Sequence, residues 1–291
     1  MRGCRYDRLE PNSEKAIDAY EKSLRYDNKL TDAYVNLGFV YLAIKDYNKA
    51  EKNFLKVVKL EPNNPEAINN LGYIYEKMAR FGSAKQTYKR ALGLNPENIE
   101  TIINIAKVLE LEGNYYEAVE QYKKAIGFNP DDIAPRFCLA VLYDRHDMFD
   151  EALEEYKGVL KNDPDNLKTL FNLGKLYAQL GNYKNAIGFY RRVLELDPDS
   201  VETWNNLGSV YKNMSNYGGA VAALQKSLSL NPFQDETHMN MAQIQYLQFH
   251  SNLNGVKKEE IVRRLHFILS MNPKNKKVQI LLEALTGENR K

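Results

Sequence analysis

The sequence has few of the residues that form cross-links, bind metals or carry out catalysis. Its 291 residues include two cysteines and four histidines, and no two histidines stand four residues apart as metal ligands on a helix would. No set of residues resembles a nucleophile with its base, and no glycine-rich phosphate loop is present. We therefore expect no metal, no cofactor and no enzymatic activity.

The chain also lacks a strong net charge and a long apolar run. Its 40 basic and 38 acidic residues leave a formal charge of +2, which gives no electrostatic reason to bind nucleic acid. No stretch approaches the roughly 20 apolar residues that span a bilayer. The start, MRGCRYDR, is too charged for a secretion signal. We expect a cytoplasmic protein, or a periplasmic or envelope-associated one if the natural chain begins further upstream.

Prolines recur at an unbroken interval of 34 residues. With each proline taken as position 32, six regular repeats occupy residues 31–234. A fixed period of this length is typical of an array of helical hairpins. In this register Cys4 and Cys138 fall about four repeats apart, beyond the reach of a disulfide. The prolines are Pro62, Pro96, Pro130, Pro164, Pro198 and Pro232.

Each repeat places the same residue types at the same positions. Apolar residues at positions 4, 7 and 11 share one face of a first helix, and those at positions 20, 24 and 27 share one face of a second. Gly or Ala at position 8 and Ala at position 20 should let the two backbones approach closely, and the proline should end the second helix. The alanines at position 20 are Ala50, Ala84, Ala118, Ala152, Ala186 and Ala220.

The two ends of the array depart from this pattern. Residues 1–30 contain only a half-repeat, whose Ile17, Tyr20 and Leu24 should present an incompletely covered apolar face suited to self-association. Residues 235–274 form a seventh repeat with a seven-residue insertion. Residues 275–291 contain a tail and an amphipathic capping helix, which should cover the last apolar face with Val278, Ile280, Leu281, Leu282 and Leu285.

These signature residues resemble the tetratricopeptide repeat at nearly every position, and the resemblance covers most of the chain. It implies an all-α fold, a right-handed superhelical solenoid of helical hairpins. In such a superhelix the sixth position of the first helix lines the concave groove, where an extended segment of a partner protein can lie.

Asparagine recurs at this sixth position in six of seven repeats, although asparagine is a mediocre helix former. The column is similar to the asparagine ladder of the O-linked N-acetylglucosamine transferase repeats, which implies that its amides hold a peptide backbone. Two alternatives remain open: the amides bridge neighbouring repeats, or they recur through duplication. The residues are Asn36, Asn70, Asn104, Asn172, Asn206 and Asn240, with Cys138 in the fourth repeat.

The fifth and ninth positions lie beside this column and should supply selectivity. Their apolar side chains could receive apolar anchors of a peptide, and their lysines could meet an acidic residue. The predicted selectivity residues are Val35, Phe39, Tyr73, Lys107, Phe137, Phe171 and Lys175.

The leading hypothesis is therefore a non-enzymatic scaffold or adaptor that binds an extended peptide segment of a partner. A second hypothesis is a structural component that self-associates or docks into a larger assembly. A third is the regulatory or substrate-selecting arm of an enzyme whose catalytic domain lies outside this chain.

Overall fold

The computed structural model describes residues 13–250 and 255–287, and within them all regular structure is α-helical. This confirms the all-α solenoid of helical hairpins. The helices are α1 (Ser13–Tyr26), α2 (Thr31–Ala43), α3 (Tyr47–Leu60), α4 (Pro65–Lys77), α5 (Phe81–Leu94), α6 (Ile99–Leu111), α7 (Tyr115–Phe128), α8 (Ile133–Arg145), α9 (Phe149–Asn162), α10 (Leu167–Gln179), α11 (Tyr183–Leu196), α12 (Val201–Asn213), α13 (Tyr217–Leu230), α14 (Asp235–His250), α15 (Lys258–Met271) and α16 (Lys276–Thr286).

The described part of the chain divides into two compact units, the first ending at Glu155 and the second beginning at Tyr156. In the first, α2 packs against α3, α4 against α5, and α6 against α7. In the second, α10 packs against α11, α12 against α13, and α14 against α15. Each of these pairs is one hairpin of the array, and its first helix carries the asparagine column.

Local sequence sets where these helices begin. Asn64, Asn98 and Asn166 precede first helices, and each side chain accepts a hydrogen bond from the backbone N–H three residues later. The turn inside each hairpin contains one residue with positive φ, which costs little only for glycine. Among the six regular hairpins, Gly113 and Gly181 fill this place in two, and other residues fill it in the remaining four: Lys45, Ala79, Asp147 and Ser215.

The two helices of a hairpin meet where an aromatic ring at position 24 lies on the glycine at position 8. A Cβ on Gly72 would lie 2.6 Å from the Tyr88 ring, and one on Gly174 would lie 2.5 Å from the Tyr190 ring. A Cβ on Gly208 would lie 2.7 Å from the Leu224 side chain and 3.3 Å from the backbone carbonyl oxygen of Ala220, so a small residue at position 8 makes room both for the position-24 side chain and for the second helix. The six position-20 alanines are fully buried.

The half-repeat α1 packs against the first hairpin. Its Ile17, Tyr20 and Leu24 are half-buried and contact a core cluster that includes Leu37 and Phe54. Residues 1–10, which carry none of the repeat pattern, lie outside the described residues.

The end of the chain follows the expected outline with one difference. In α16, Val278 and Leu285 are buried together with Ile261, Leu265 and Ile268 of α15 and Ala242 of α14. Ile280, which we expected on the same covered face, is 66% exposed. Successive residues of a helix are rotated by about 100°, so a residue two places from Val278 points away from the core. The inserted segment lies partly in residues 251–254, outside the described residues.

Candidate peptide-binding surface

The six column asparagines differ in burial. All lie on first helices, one residue before the apolar side chain at position 7. Asn36, Asn70, Asn172 and Asn206 are half-buried. Asn104 and Asn240 are only 8% and 9% exposed. A uniform ladder therefore does not describe the column, and the hydrogen bonds of each unit explain the difference.

In the first unit, Asn104 bridges two neighbouring repeats. Its Nδ2 lies 3.4 Å from Oδ1 of Asn69, which is buried at position 5 of the preceding repeat. The same Oδ1 accepts a hydrogen bond of 3.0 Å from Thr101 Oγ1. Asn69 Nδ2 lies 3.5 Å from Glu100 Oε1. Asn104 thus belongs to a polar cluster that joins α4 to α6.

In the second unit, Asn240 makes the equivalent bridge. Its Nδ2 donates to Oδ1 of Asn205 at 3.2 Å and to Oγ of Ser209 at 3.1 Å. Its Oδ1 accepts from Lys212 Nζ at 2.9 Å, and Lys212 also donates to Gln243 Oε1 at 2.8 Å. Burial lowers the pKa of Lys212, and the charge of Glu236 acts in the opposite direction.

The other four column asparagines have fewer internal hydrogen bonds than Asn104 and Asn240, so their amides are more available to a ligand. The Asn206 side chain lies near the Tyr190 hydroxyl and acts to lower the pKa of that tyrosine, against the larger effect of burial. For Asn36, Asn70 and Asn172, residues 13–250 and 255–287 provide no side-chain hydrogen-bond partner. These three amides are half-buried on the first helices and can bind a ligand without losing an internal bond.

The predicted selectivity residues form partly exposed aromatic surface with lysines beside it. Phe39 meets the buried Phe54 ring edge-on at 5.3 Å, and Phe171 meets the buried Tyr190 ring at 6.1 Å. Lys175 Nζ lies 5.9 Å from the centre of the Phe171 ring.

The other predicted selectivity residues vary in exposure. Lys77 Nζ lies 4.6 Å from the centre of the Tyr73 ring, and Lys107 is exposed. Val35 and Phe137 are half-buried, and Val35 packs on the first-hairpin cluster. Their placement within each unit is compatible with apolar and acidic anchors of a peptide.

Position 12 carries buried or half-buried charged side chains that the sequence analysis did not single out. Glu76 is 9% exposed; its carboxylate binds Lys77 Nζ at 3.0 Å and lies 3.4 Å from the Tyr88 hydroxyl. Glu110 accepts a hydrogen bond from the Tyr122 hydroxyl. Burial, together with these carboxylates, raises the pKa of both tyrosines. The column was visible in the sequence as Glu76, Glu110, Asp144 and Lys212.

Cys138, which interrupts the asparagine column, is a half-buried thiol beside Tyr122. Burial raises the pKa of this thiol, so it is less ionised than an ordinary cysteine.

In the part of the chain that the structure describes, no group of three or more His, Cys, Asp or Glu residues could hold a metal ion. Among the helices of residues 13–250 and 255–287, none is long and apolar enough to cross a membrane.

Models of the tetratricopeptide repeat match residues 31–64, 65–98, 99–132 and 201–234, in the register of the 34-residue period. A further model of this repeat matches residues 174–215. Together the matches cover more than half of the chain. The chain belongs to the tetratricopeptide repeat family. Repeats of this family generally serve as modules of protein–protein interaction.

Solved structures share the fold at low sequence identity. The C-terminal part of a tetratricopeptide repeat protein from Cytophaga hutchinsonii superposes with a TM-score of 0.66 at 18% identity, covering 84% of this chain and 97% of that one. Yeast Tom70 superposes with a TM-score of 0.62 at 17% sequence identity, covering 94% of this chain and 59% of that one.

The Cut9 and Hcn1 hetero-tetramer gives a TM-score of 0.60 at 20% identity and covers 94% of this tetratricopeptide repeat chain. The chain spans about half, 52%, of that solved chain. Among curated protein sequences, none matches significantly.

Proposed function

We propose that this tetratricopeptide repeat protein is an adaptor that binds an extended peptide segment along its first helices. The observation that carries the proposal is the set of half-buried amides without internal partners in the described residues, Asn36, Asn70 and Asn172, next to partly exposed aromatic rings. A primary amide offers both a donor and an acceptor, and so matches the N–H and C=O of a peptide backbone.

The energetics require several contacts together. Each hydrogen bond contributes about 0.5–1.5 kcal/mol net, so three amides supply only modest affinity. Phe39, Tyr73 and Phe171 would add apolar contact, and Lys107 and Lys175 would favour an acidic ligand residue. Asn104 and Asn240 would serve mainly to hold neighbouring repeats together, since their amides are already bonded internally.

The family supports a protein partner as the ligand. One structural neighbour was solved as the hetero-tetramer Cut9–Hcn1. For this chain a protein partner in extended conformation is the ligand that the amide and aromatic surface fits.

The proposal is tested with peptides selected by display against the intact chain. The variants Asn36→Ala, Asn70→Ala and Asn172→Ala, combined, should weaken selected peptides by about 1–4 kcal/mol, because each loses a backbone contact. Melting should change by less than about 0.5 kcal/mol per site, as for surface substitutions.

The matched control is Asn104→Ala. It should destabilise the fold by about 1–3 kcal/mol, because it leaves the buried Asn69 with fewer partners. N-methylation of the peptide backbone should abolish binding to the wild type. If all selected peptides bind the triple variant as they bind the wild type, the amides are not the binding site.

A further inference from the structure

We propose that the seventh repeat binds a carboxylate of a partner protein, an acidic side chain, in a pocket separate from the asparagine surface. The pocket is open, has a volume of about 490 Å³ and lies between α14 and α15. Two arginines and one glutamate line it, so positive charge is in excess. The lining residues are His238, Gln245, Glu260, Arg263, Arg264 and Phe267.

Neutral partners hold the Arg264 guanidinium in place. Its Nε donates to Gln245 Oε1 at 3.0 Å, and its Nη1 donates to His238 Nδ1 at 3.0 Å. The His238 ring is held in turn, because its Nε2 donates to the Pro232 carbonyl at 2.8 Å and the Phe267 ring meets it edge-on at 4.9 Å. Nδ1 must be the unprotonated nitrogen, since an arginine can only donate.

The fixed guanidinium has donors left over. A guanidinium carries five N–H groups, and these two hydrogen bonds use two of them. A planar fork that is already oriented loses little conformational entropy when a carboxylate binds to it. The arrangement is therefore suited to a single carboxylate that enters from the open side of the pocket.

No internal carboxylate neutralises this pair of arginines. Within residues 13–250 and 255–287, neither Arg263 nor Arg264 forms an ion pair. Glu260 lies one helical turn before Arg264. Its negative charge acts to raise the pKa of the guanidinium, but the two side chains form no salt bridge. A ligand carboxylate would be repelled by Glu260 and attracted by both arginines.

The fourth repeat carries charged side chains at the two equivalent positions, which the other five regular repeats do not. There Arg136, at position 4 of α8, forms an ion pair of 2.9 Å with Glu155 of α9. His238 holds position 4 in the seventh repeat, and Arg264 stands nine residues before its closing proline, as Glu155 does in the fourth. The fourth repeat therefore supplies its own carboxylate to a guanidinium between the helices, whereas the seventh holds the guanidinium with neutral groups.

The test is a titration of the intact chain at low ionic strength. Binding is monitored through the NMR signals of the arginine Nε–H groups. The probes are the blocked tripeptide Gly-Glu-Gly and its Gly-Gln-Gly analogue, with inorganic phosphate as a third arm. We expect a saturable shift of the Arg264 signal with the glutamate probe and none with the glutamine probe.

Variants of the pocket make the result decisive. Arg264→Gln should abolish the binding, Arg264→Lys should weaken it several-fold, and Glu260→Gln should strengthen it by about two- to fivefold because a repulsive charge is removed. Arg192→Gln, which removes an exposed arginine paired with Asp165 in the same unit, should change nothing. If Arg264→Gln unfolds the repeat, the binding measured for Arg264→Lys and Glu260→Gln decides whether the proposal holds.

Three outcomes would overturn the proposal. One is equal shifts with the glutamate and glutamine probes, and another is unchanged binding by the Arg264 variants. The third is a response to phosphate without a response to the glutamate probe, which would make the pocket a phosphate site instead.

Discussion

At the scale of the single residue, the folded chain disfavours protonation of His238. Burial lowers the pKa of its imidazole, and the positive charge of Arg264 lowers it further, while the hydrogen bond to the Pro232 carbonyl acts in the other direction. A protonated ring could not accept from Arg264 at Nδ1, so acidification would break the contact that orients the guanidinium.

Because the folded chain binds this proton less readily than the unfolded chain, stability is retained above the ordinary histidine pKa of about 6.5 and is lost as the pH falls below it. The melting temperature of wild type should therefore fall more steeply between about pH 7.5 and pH 5.5 than that of His238→Gln, whose amide can donate and accept at every pH in this range. Equal slopes for the two proteins would show that His238 is not a stabilising acceptor.

At the scale of the element, the decisive contact is the crossing of two helices within a hairpin. In α13, Ala220 is fully buried at position 20, while Ala222 is exposed on the same helix. A Cβ on Gly208 would lie 3.3 Å from the Ala220 carbonyl oxygen, so the two helices approach closely at position 20 and leave no room there for a larger residue.

Ala220→Leu should destabilise the chain by about 1–3 kcal/mol, because it overpacks this crossing. Ala222→Leu adds the same side chain to the solvent-facing side of the helix and should change stability by less than about 0.5 kcal/mol. The measurement is the free energy of unfolding in denaturant. If both variants have the same stability, the crossing does not depend on a small residue at position 20.

At the scale of the whole molecule, stability is distributed along the array. Each repeat packs mainly on its neighbours, so a local loss should spread little beyond the adjoining helices. The capping helix α16 offers the clearest case, because its Val278 and Leu285 complete the apolar cluster of α14 and α15.

Removal of residues 275–291 should therefore increase amide hydrogen exchange in α14 and α15 while protection in residues 31–132 stays unchanged. A substitution at Ile280, which is exposed on the same helix, serves as the control: Ile280→Ser should leave exchange in α15 unaltered. A uniform loss of protection across the chain would show that the array unfolds as one cooperative body instead.

The asparagine column shows where prediction from sequence reached its limit. The position of every column asparagine on a first helix followed from the 34-residue period. The partners of Asn104 and Asn240 could also have been predicted. Position 5 is asparagine in two repeats only, as Asn69 and Asn205, and these are the repeats directly before those of Asn104 and Asn240. The ladder was the leading interpretation and bridging between repeats an alternative, and Asn104 and Asn240 follow the alternative.

The sequence by itself determined the hairpins, their register and the buried faces of their helices, because a hairpin depends on residues close together in the chain that recur at every repeat. Only the tertiary structure decided which polar side chains are already bonded. The bridge from Asn240 to Asn205 and the orientation of Arg264 by His238 join residues on different helices, and their geometry depends on how those helices pack.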